Sequence, residues 1–267
     1  MGINRSSFYF WKSKRLNPAP RVINLLDNIK LFQKYHALYP SHGYRWLNAK
    51  IRLDTDLKMS DPYAHKCCKI AGIKSQAKRC RYRKPGEPKK VYPNLLSAEL
   101  QVDGPKQCVV SDMTAFNFKG IHYELTMFMD IWNNEILTYS ISSKRGDRMT
   151  YINGLNDLCA IKAKLPDVEM ILHTDQGSVY ASKAFNDILP AYNIQRSMSR
   201  AGTPTDNAVM EAINGWVKAE IFMDFHLTEA ESIQKQISDY VIFFNEQRPA
   251  YALQYLTPKQ YRERYAS

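Results

Sequence analysis

At Pro105 the chain changes its hydrophobic period, and that change limits the folds open to it. Beyond it come "QCVVSDMTAF", "HYELTMFMDIW" and "EILTYSISS", short apolar or alternating runs, the last two separated by the turn pair Asn133-Asn134. Such runs predict three antiparallel strands. The segment "MTYINGLNDLCAIKA" then takes helical spacing, "VEMILHTDQG" reads as a buried strand with a polar end, "SKAFNDILPAYN" as a short helix and "IQRSMS" as a further strand. A meander followed by strands alternating with helices predicts the α/β class, a mixed sheet covered by helices.

The part before Pro105 has another character. From Arg21 onward Val22, Leu25, Leu26, Ile29, Phe32 and Leu38 recur at spacings of three and four residues, and the run stops at Pro40. A second helix opens in "SHGYRWLNAKIRL" with Ser41 as its expected cap. A third follows Ser60-Asp61-Pro62 and ends at Gly72. Short helices with tight turns and many Arg and Lys suit a small helix-turn-helix module, and periodicity alone fits a plain three-helix bundle equally well. The stretch "KSQAKRCRYRKPGEPKKVYP" is dense in basic residues and proline and reads as an extended linker. The predicted organisation is therefore residues 1–73 helical, 74–104 linker and 105–267 the α/β domain.

Charge follows the same division. Residues 1–106 hold 22 Lys and Arg against 7 Asp and Glu, whereas residues 107–267 hold 15 against 19. A basic N-terminal part is what a polyanion binder needs, and an acidic remainder concentrates carboxylates for divalent cations. The five cysteines are odd in number and lack CxxC spacing, which predicts reduced structural thiols. No apolar run reaches the roughly 18 residues of a membrane span, so a soluble cytoplasmic protein is expected. No glycine-rich loop follows the first strand, which argues against a nucleotide-binding enzyme on a doubly wound sheet.

Asp112 follows "CVV" and Asp175 follows "MILHT", so both carboxylates are expected at the C-terminal ends of strands. Glu211 lies in the helical stretch "TPTDNAVMEAINGWVKAEIF", whose apolar stripe is expected to be Val209, Ile213, Trp216 and Val217. Helical phase sets Glu211 on the opposite, polar side with Gly215 and Lys218. Any one of these acids alone is ordinary. Two Asp at strand ends followed by a Glu on a helix, with residues 176–210 intervening, form a set suited to holding metal ions.

The words around the three acids resemble those of a family. "HTDQGSVY" at 173–180, "SMSRAGTPTDNAVMEAINGWVKAE" at 197–220 and "FNEQRPAYALQYLTPKQY" at 244–261 resemble motifs of the second-frame products of bacterial insertion-sequence transposases of the third family. "RSSFYFW" at 5–11 and "HGYRWLNAKI" at 42–51 resemble the segments those proteins carry at their helix-turn-helix. The resemblance covers nearly the whole chain. Two places depart from it: Cys108 and Val109 stand where a Trp is common, and Thr-Pro-Thr precedes Asp206.

The resemblance implies an RNase H-like, five-stranded mixed sheet of the retroviral-integrase kind, and a transposase that cuts insertion-sequence ends and joins them to target DNA. It implies Asp112, Asp175 and Glu211 as ligands of two Mg²⁺ ions, replaceable by Mn²⁺, with Asp112 bridging. Hard oxygen ligands suit those ions, and two of them serve the attacking and leaving oxygens of a phosphodiester. It also implies double-stranded DNA as partner, a homo-oligomer on that DNA, and an upstream-frame protein with its own helix-turn-helix and zipper.

Other residues are candidates for support. His173 and Gln176 flank Asp175 and are expected either to orient it or to make structural hydrogen bonds, and Asn207 to cap the Glu211 helix. Tyr44, Arg45, Lys78, Arg79, Arg81, Arg83, Lys84, Arg200 and Arg248 are candidate DNA contacts. Two rival functions remain at this point: a nuclease of the same fold without joining activity, and a DNA-binding regulator derived from an inactive transposase.

Overall fold

The computed structural model describes residues 4–77, 92–96, 102–200 and 208–266, with residues 208–212 described by their backbone alone. The chain divides into units 1–76 and 77–267. The candidate contacts Lys78, Arg79, Arg81, Arg83 and Lys84, and the expected cap Asn207, lie outside the described residues.

Unit 1 is helical, with α1 (Arg5–Leu16), α2 (Pro20–Leu38), α3 (Tyr44–Thr55) and α4 (Asp61–Ile70). Proline fixes two of the starts, since it occupies the first turn of α2 and of α4, where its missing N–H has no helical partner to lose. Gly72 closes α4 at φ 70°. Phe32 of α2, Leu47 and Ile51 of α3, and Ala64 and Cys67 of α4 are fully buried and make the core. Polar ties join these helices: the Tyr35 hydroxyl of α2 donates to Asp54 of α3, which also accepts from Lys50 within α3, and the Asn48 amide donates to Asp61 of α4 and to the Met59 carbonyl before it. One cap expectation is corrected: the residue before α3 is Gly43, and Ser41 is buried. Ser60 stands at the N-cap of α4 as expected, without a side-chain cap bond. Helix α1 keeps none of its residues buried and exposes Phe8, Tyr9, Phe10 and Trp11.

Unit 2 is built on a five-stranded mixed sheet: β1 (Cys108–Phe118), β2 (Ile121–Asp130), β3 (Ile136–Ser142), β4 (Met170–Thr174) and β5 (Ile194–Met198), in the order β3-β2-β1-β4-β5. Strands β1 to β3 are antiparallel, and β4 and β5 run parallel to β1. The β1–β2 turn is Lys119-Gly120, both at positive φ, as a two-residue hairpin requires. The longer β2–β3 turn uses Asn134 at φ 58°. The crossover from β3 to β4 is α5 (Arg148–Lys162), and α6 (Lys183–Asn186) precedes β5.

Period-two alternation assigns the two faces of the sheet. Val109, Ser111 and Phe128 point to the α5 side, where a dry cluster of Tyr151, Leu155, Leu158, Leu172, Tyr180 and Phe185 fills the core. Gly154 lets α5 approach: a Cβ there would stand 2.6 Å from the Phe128 ring. Asp112 and Phe116 point to the other side, where α7 (Ala208–Met223) lies with Phe222 edge-on to Phe116 at 5.8 Å. Helices α8 (Ile233–Glu246) and α9 (Pro258–Tyr265) complete the unit.

Both edges of the sheet are engaged. At β3 the Asn245 side chain accepts from the Ile136 N–H and donates to the Ile136 carbonyl, each at 2.9 Å, as a neighbouring strand would. At β5 the Met198 N–H donates to the Pro93 carbonyl, and the Leu95 N–H donates to Ser197 Oγ.

Candidate active site

Parallel pairing of β1 with β4 ends at Ser111 opposite Thr174, so Asp112 on β1 and Asp175, just past the end of β4, each follow the last paired residue of adjacent strands. Neighbouring strands lie roughly 4.8 Å apart. The two aspartates differ in their settings, however. Asp175 directly follows the last residue of β4, as expected, whereas Asp112 is the fifth residue of an eleven-residue strand. The expectation of a strand end for Asp112 is corrected: β1 continues because the β2 hairpin pairs with it as far as Phe118.

Asp175 is held by the turn it begins. The Gly177 N–H donates to Asp175 Oδ1 at 2.9 Å, and a Cβ on Gly177 would come within 2.8 Å of the same oxygen. Burial pushes the Asp175 carboxyl above the usual carboxylate range, while the Gly177 amide and the Arg196 charge pull it back. Asp112 is held from α7: Asn214 Nδ2 donates to Asp112 Oδ2 at 2.6 Å. Asn214 is buried, and its Oδ1 has no hydrogen-bond partner among the described residues. A buried amide oxygen left over beside a carboxylate is a further hard donor at the place where a cation would sit.

Glu211 lies one helical turn before Asn214 on α7, so by position it shares the helix face that meets Asp112. Of the expected apolar stripe of this helix, Val217 is buried and Ile213 half-buried, whereas Trp216 is corrected, being 40% exposed; Asn214, Glu220 and Ile221 are also buried. Among the described side chains of α7, Asn214 is thus the polar group turned to Asp112, and its burial costs desolvation that the bond to the carboxylate offsets.

Beneath the pair lies a sealed floor. The Ser111 and Tyr180 hydroxyls meet at 2.9 Å, and Tyr151 packs edge-on to Tyr180 at 4.9 Å. The phenol of Tyr180 is pushed well above its ordinary pKa by full burial and by Asp112, so it stays a neutral hydroxyl. Hydrophobic spacing around Tyr180 and Tyr151 carries no mark of this role, and neither it nor Asn214 was marked by the sequence.

His173 and Gln176 are placed in a serine network. His173 is buried, with Nδ1 at 2.8 Å from Ser197 Oγ and Nε2 at 3.0 Å from Ser199 Oγ, and Gln176 donates to the Ser199 carbonyl. Both tie β4 to the end of β5, the structural alternative of the two expected. Arg200 is exposed at that end, and in unit 1 Arg45 is exposed with its guanidinium 5.5 Å over the half-buried Tyr44 ring.

Arg248, expected to contact DNA, is corrected. Its Nε donates to both oxygens of the fully buried Glu220 at 2.8 and 2.9 Å, and the Tyr240 hydroxyl donates to the same carboxylate. A guanidinium paired in this way has no fork left for a phosphate. The pair bolts α7 to α8 and the segment after it.

Residues 102–204 match a family model described as "Integrase core domain", and residues 192–258 match a second model of the same description. The putative transposase InsK for insertion sequence element IS150 of Escherichia coli (strain K12) is 28% identical over 261 residues, 97% of this chain and 90% of that protein. The transposase for insertion sequence element IS904 of Lactococcus lactis subsp. lactis (strain IL1403) is 29% identical over 248 residues, 89% of this chain and 94% of that protein. Among solved structures, a chain of the simian T-cell lymphotropic virus intasome in complex with PP2A regulatory subunit B56 gamma superposes with a TM-score of 0.51 at 17% identity, covering 80% of this chain and 74% of that one. That last likeness is one of fold.

Proposed function

Because the chain belongs to the insertion-sequence transposases built on an integrase core, we propose that it cuts DNA strands at the ends of an insertion sequence and joins them to target DNA at a centre formed by Asp112, Asp175 and Glu211. The observation that carries this reading is the bond from Asn214 of α7 to Asp112, which stands beside the end of the strand that Asp175 follows.

In the first step a water oxygen attacks the scissile phosphorus and the bond to the 3′-oxygen breaks, leaving a 3′-hydroxyl and a 5′-phosphate. In the second that hydroxyl attacks a phosphorus of the target strand, whose own 3′-oxygen leaves; the number of phosphodiester bonds is conserved. Two divalent cations, Mg²⁺ or in its place Mn²⁺, would be held by the three carboxylates and would activate the attacking oxygen and offset charge on the leaving one. The donor set fits: all are hard oxygens, two of them adjacent by strand register, with the spare Asn214 Oδ1 alongside. Asn214 fixes the rotamer of Asp112, and the Gly177 amide fixes that of Asp175. The buried floor of Tyr180, Ser111 and Tyr151 excludes water from the core side of the pair.

The basic unit 1 and the linker supply DNA affinity in this reading, with Tyr44 and Arg45, the linker cations and Arg200 as phosphate or base contacts. Synapsis of two element ends calls for a homo-oligomer on DNA, and an upstream-frame protein would add end recognition. The protein acts where its DNA is, in the bacterial cytoplasm. Among the described residues no helix is long and apolar enough to cross a membrane.

The test is cleavage and strand transfer on labelled DNA carrying the element ends, in Mg²⁺ or Mn²⁺, for wild type and Glu211→Gln. Metal-dependent nicks and joined products that vanish in the variant, with DNA binding kept, are the expected result. Hydrolysis without joining points to the nuclease, and tight binding without cleavage in either metal to the regulator.

A further inference from the structure

Arg196 is a buried cation that the chemistry above does not use. It lies on β5 opposite Leu172 of β4, is 8% exposed, and touches no carboxylate among the described residues. Burying an ion costs several kcal/mol. A position that needed only to be filled would take an apolar side chain, so the donors of the guanidinium must be the reason for it.

All three nitrogens donate, through four hydrogen bonds, and they reach both ends of one loop. Nη2 donates to Thr174 Oγ1 at 2.5 Å, and the Thr174 hydroxyl in turn donates to the Asp175 carbonyl at 2.7 Å. Nε donates to Asn186 Oδ1 at 3.1 Å, and the Asn186 amide donates to the carbonyls of Tyr180 and Ser182 at 2.8 and 2.7 Å. Nη1 donates to the carbonyls of Leu172 and Ser197 at 3.0 and 2.6 Å, locking β4 against β5. The guanidinium lies 5.7 Å from the Tyr92 ring centroid and 5.6 Å from that of Phe185. Residues 175–182, which carry Asp175, its orienting Gly177 and the floor residue Tyr180, are thus anchored at their start and at their end by one side chain. Burial lowers the Arg196 pKa to about 10, which leaves it charged at neutral pH.

We propose that Arg196 is a positioning residue for the centre: by bridging Thr174 and Asn186 it fixes the loop that presents Asp175. The planar fork makes this an arginine's task, because a lysine's single nitrogen cannot reach acceptors on β4, β5 and α6 together. The inference rests on the reading of Asp175 as a metal ligand, and it assigns the placement of that ligand to a residue that touches neither metal nor DNA.

The test is Mn²⁺ binding to the full chain by calorimetry, with a thermal melt of each variant, for wild type, Thr174→Val, Thr174→Ser, Arg196→Lys and Asp175→Asn. Removing a group that orients a ligand typically weakens metal binding about 10–100-fold. Thr174→Val and Arg196→Lys are expected to weaken Mn²⁺ binding by at least about tenfold, Thr174→Ser to restore it, and Asp175→Asn to lose it. The Thr174 pair is nearly isosteric and keeps the question answerable if Arg196→Lys does not fold. Thr174→Val binding Mn²⁺ as wild type does, while Asp175→Asn loses it, overturns the proposal alone. Undiminished binding by Asp175→Asn overturns the ligand reading, and the proposal with it.

Discussion

Replacing Gly177 by alanine should separate chemistry from stability. The added Cβ would stand 2.8 Å from Asp175 Oδ1 but 3.5 Å from Tyr180 Cδ2, so the carboxylate is the one neighbour that must move. Carbon and oxygen need somewhat more than 3 Å, so the carboxylate retreats by roughly half an ångström and its bond to the Gly177 amide stretches or breaks. A hydrogen bond to an ionised group contributes about 1.5–3 kcal/mol. At about 1.4 kcal/mol per factor of ten, the expected loss is roughly 10–100-fold in the cleavage rate. Single-turnover nicking of an end-bearing duplex in saturating Mg²⁺ measures it, alongside duplex affinity by anisotropy and a melting curve. Duplex affinity should stay within about twofold and the melting temperature should fall by only a few degrees, because the core around Tyr180 is untouched. A rate equal to wild type would refute the reasoning, and so would a loss that merely follows the unfolded fraction.

Arg248→Met should destabilise the fold by about 3–5 kcal/mol by stranding the buried Glu220, and urea unfolding reads it; a loss confined to DNA affinity would restore Arg248 as a DNA contact. Gly154→Ala drives a methyl into the Phe128 ring and should cost about 1–3 kcal/mol in the same assay, with cleavage per folded molecule unchanged. Burial raises the Asp130 carboxyl from 3.8 to about 6. The folded state then binds more protons than the unfolded chain between those values, so this group makes stability fall as pH rises from about 4 to about 6 and contributes no slope above. Two units correspond to on the order of 3 kcal/mol. Melts from pH 4 to 7 should show Asp130→Asn gaining on wild type across that window, and a constant difference between the two would show that Asp130 does not titrate there.

The sheet was legible because period-two runs and turn residues are local. Five strands, the α5 crossover and the hairpins follow from "CVV", "MILHT" and Asn133-Asn134 without knowledge of packing. Where Asp112 falls within its strand was not legible, because β1 is prolonged by pairing with β2 across a turn whose register no single segment encodes. The three acids stood out by motif and spacing. What orients them did not: Asn214 on a polar helix face and Arg196 within "IQRSMS" look like solvated residues until tertiary structure brings Asp112 to one and Thr174 to the other. Arg248 failed in the opposite direction. A basic residue in a family motif suggested a phosphate, and the structure gives it a carboxylate.

The engagement of both sheet borders bears on how copies of this protein meet. A sheet with open borders adds strands from any neighbour of its own kind, and molecules gathered at high local concentration on one stretch of DNA would be exposed to that hazard. Asn245 occupies the first outward-facing hydrogen-bonding position of β3, and residues 92–96 lie along β5. At these points the backbone groups that a strand from another copy would need are already taken, which disfavours the near-irreversible zippering of backbone to backbone.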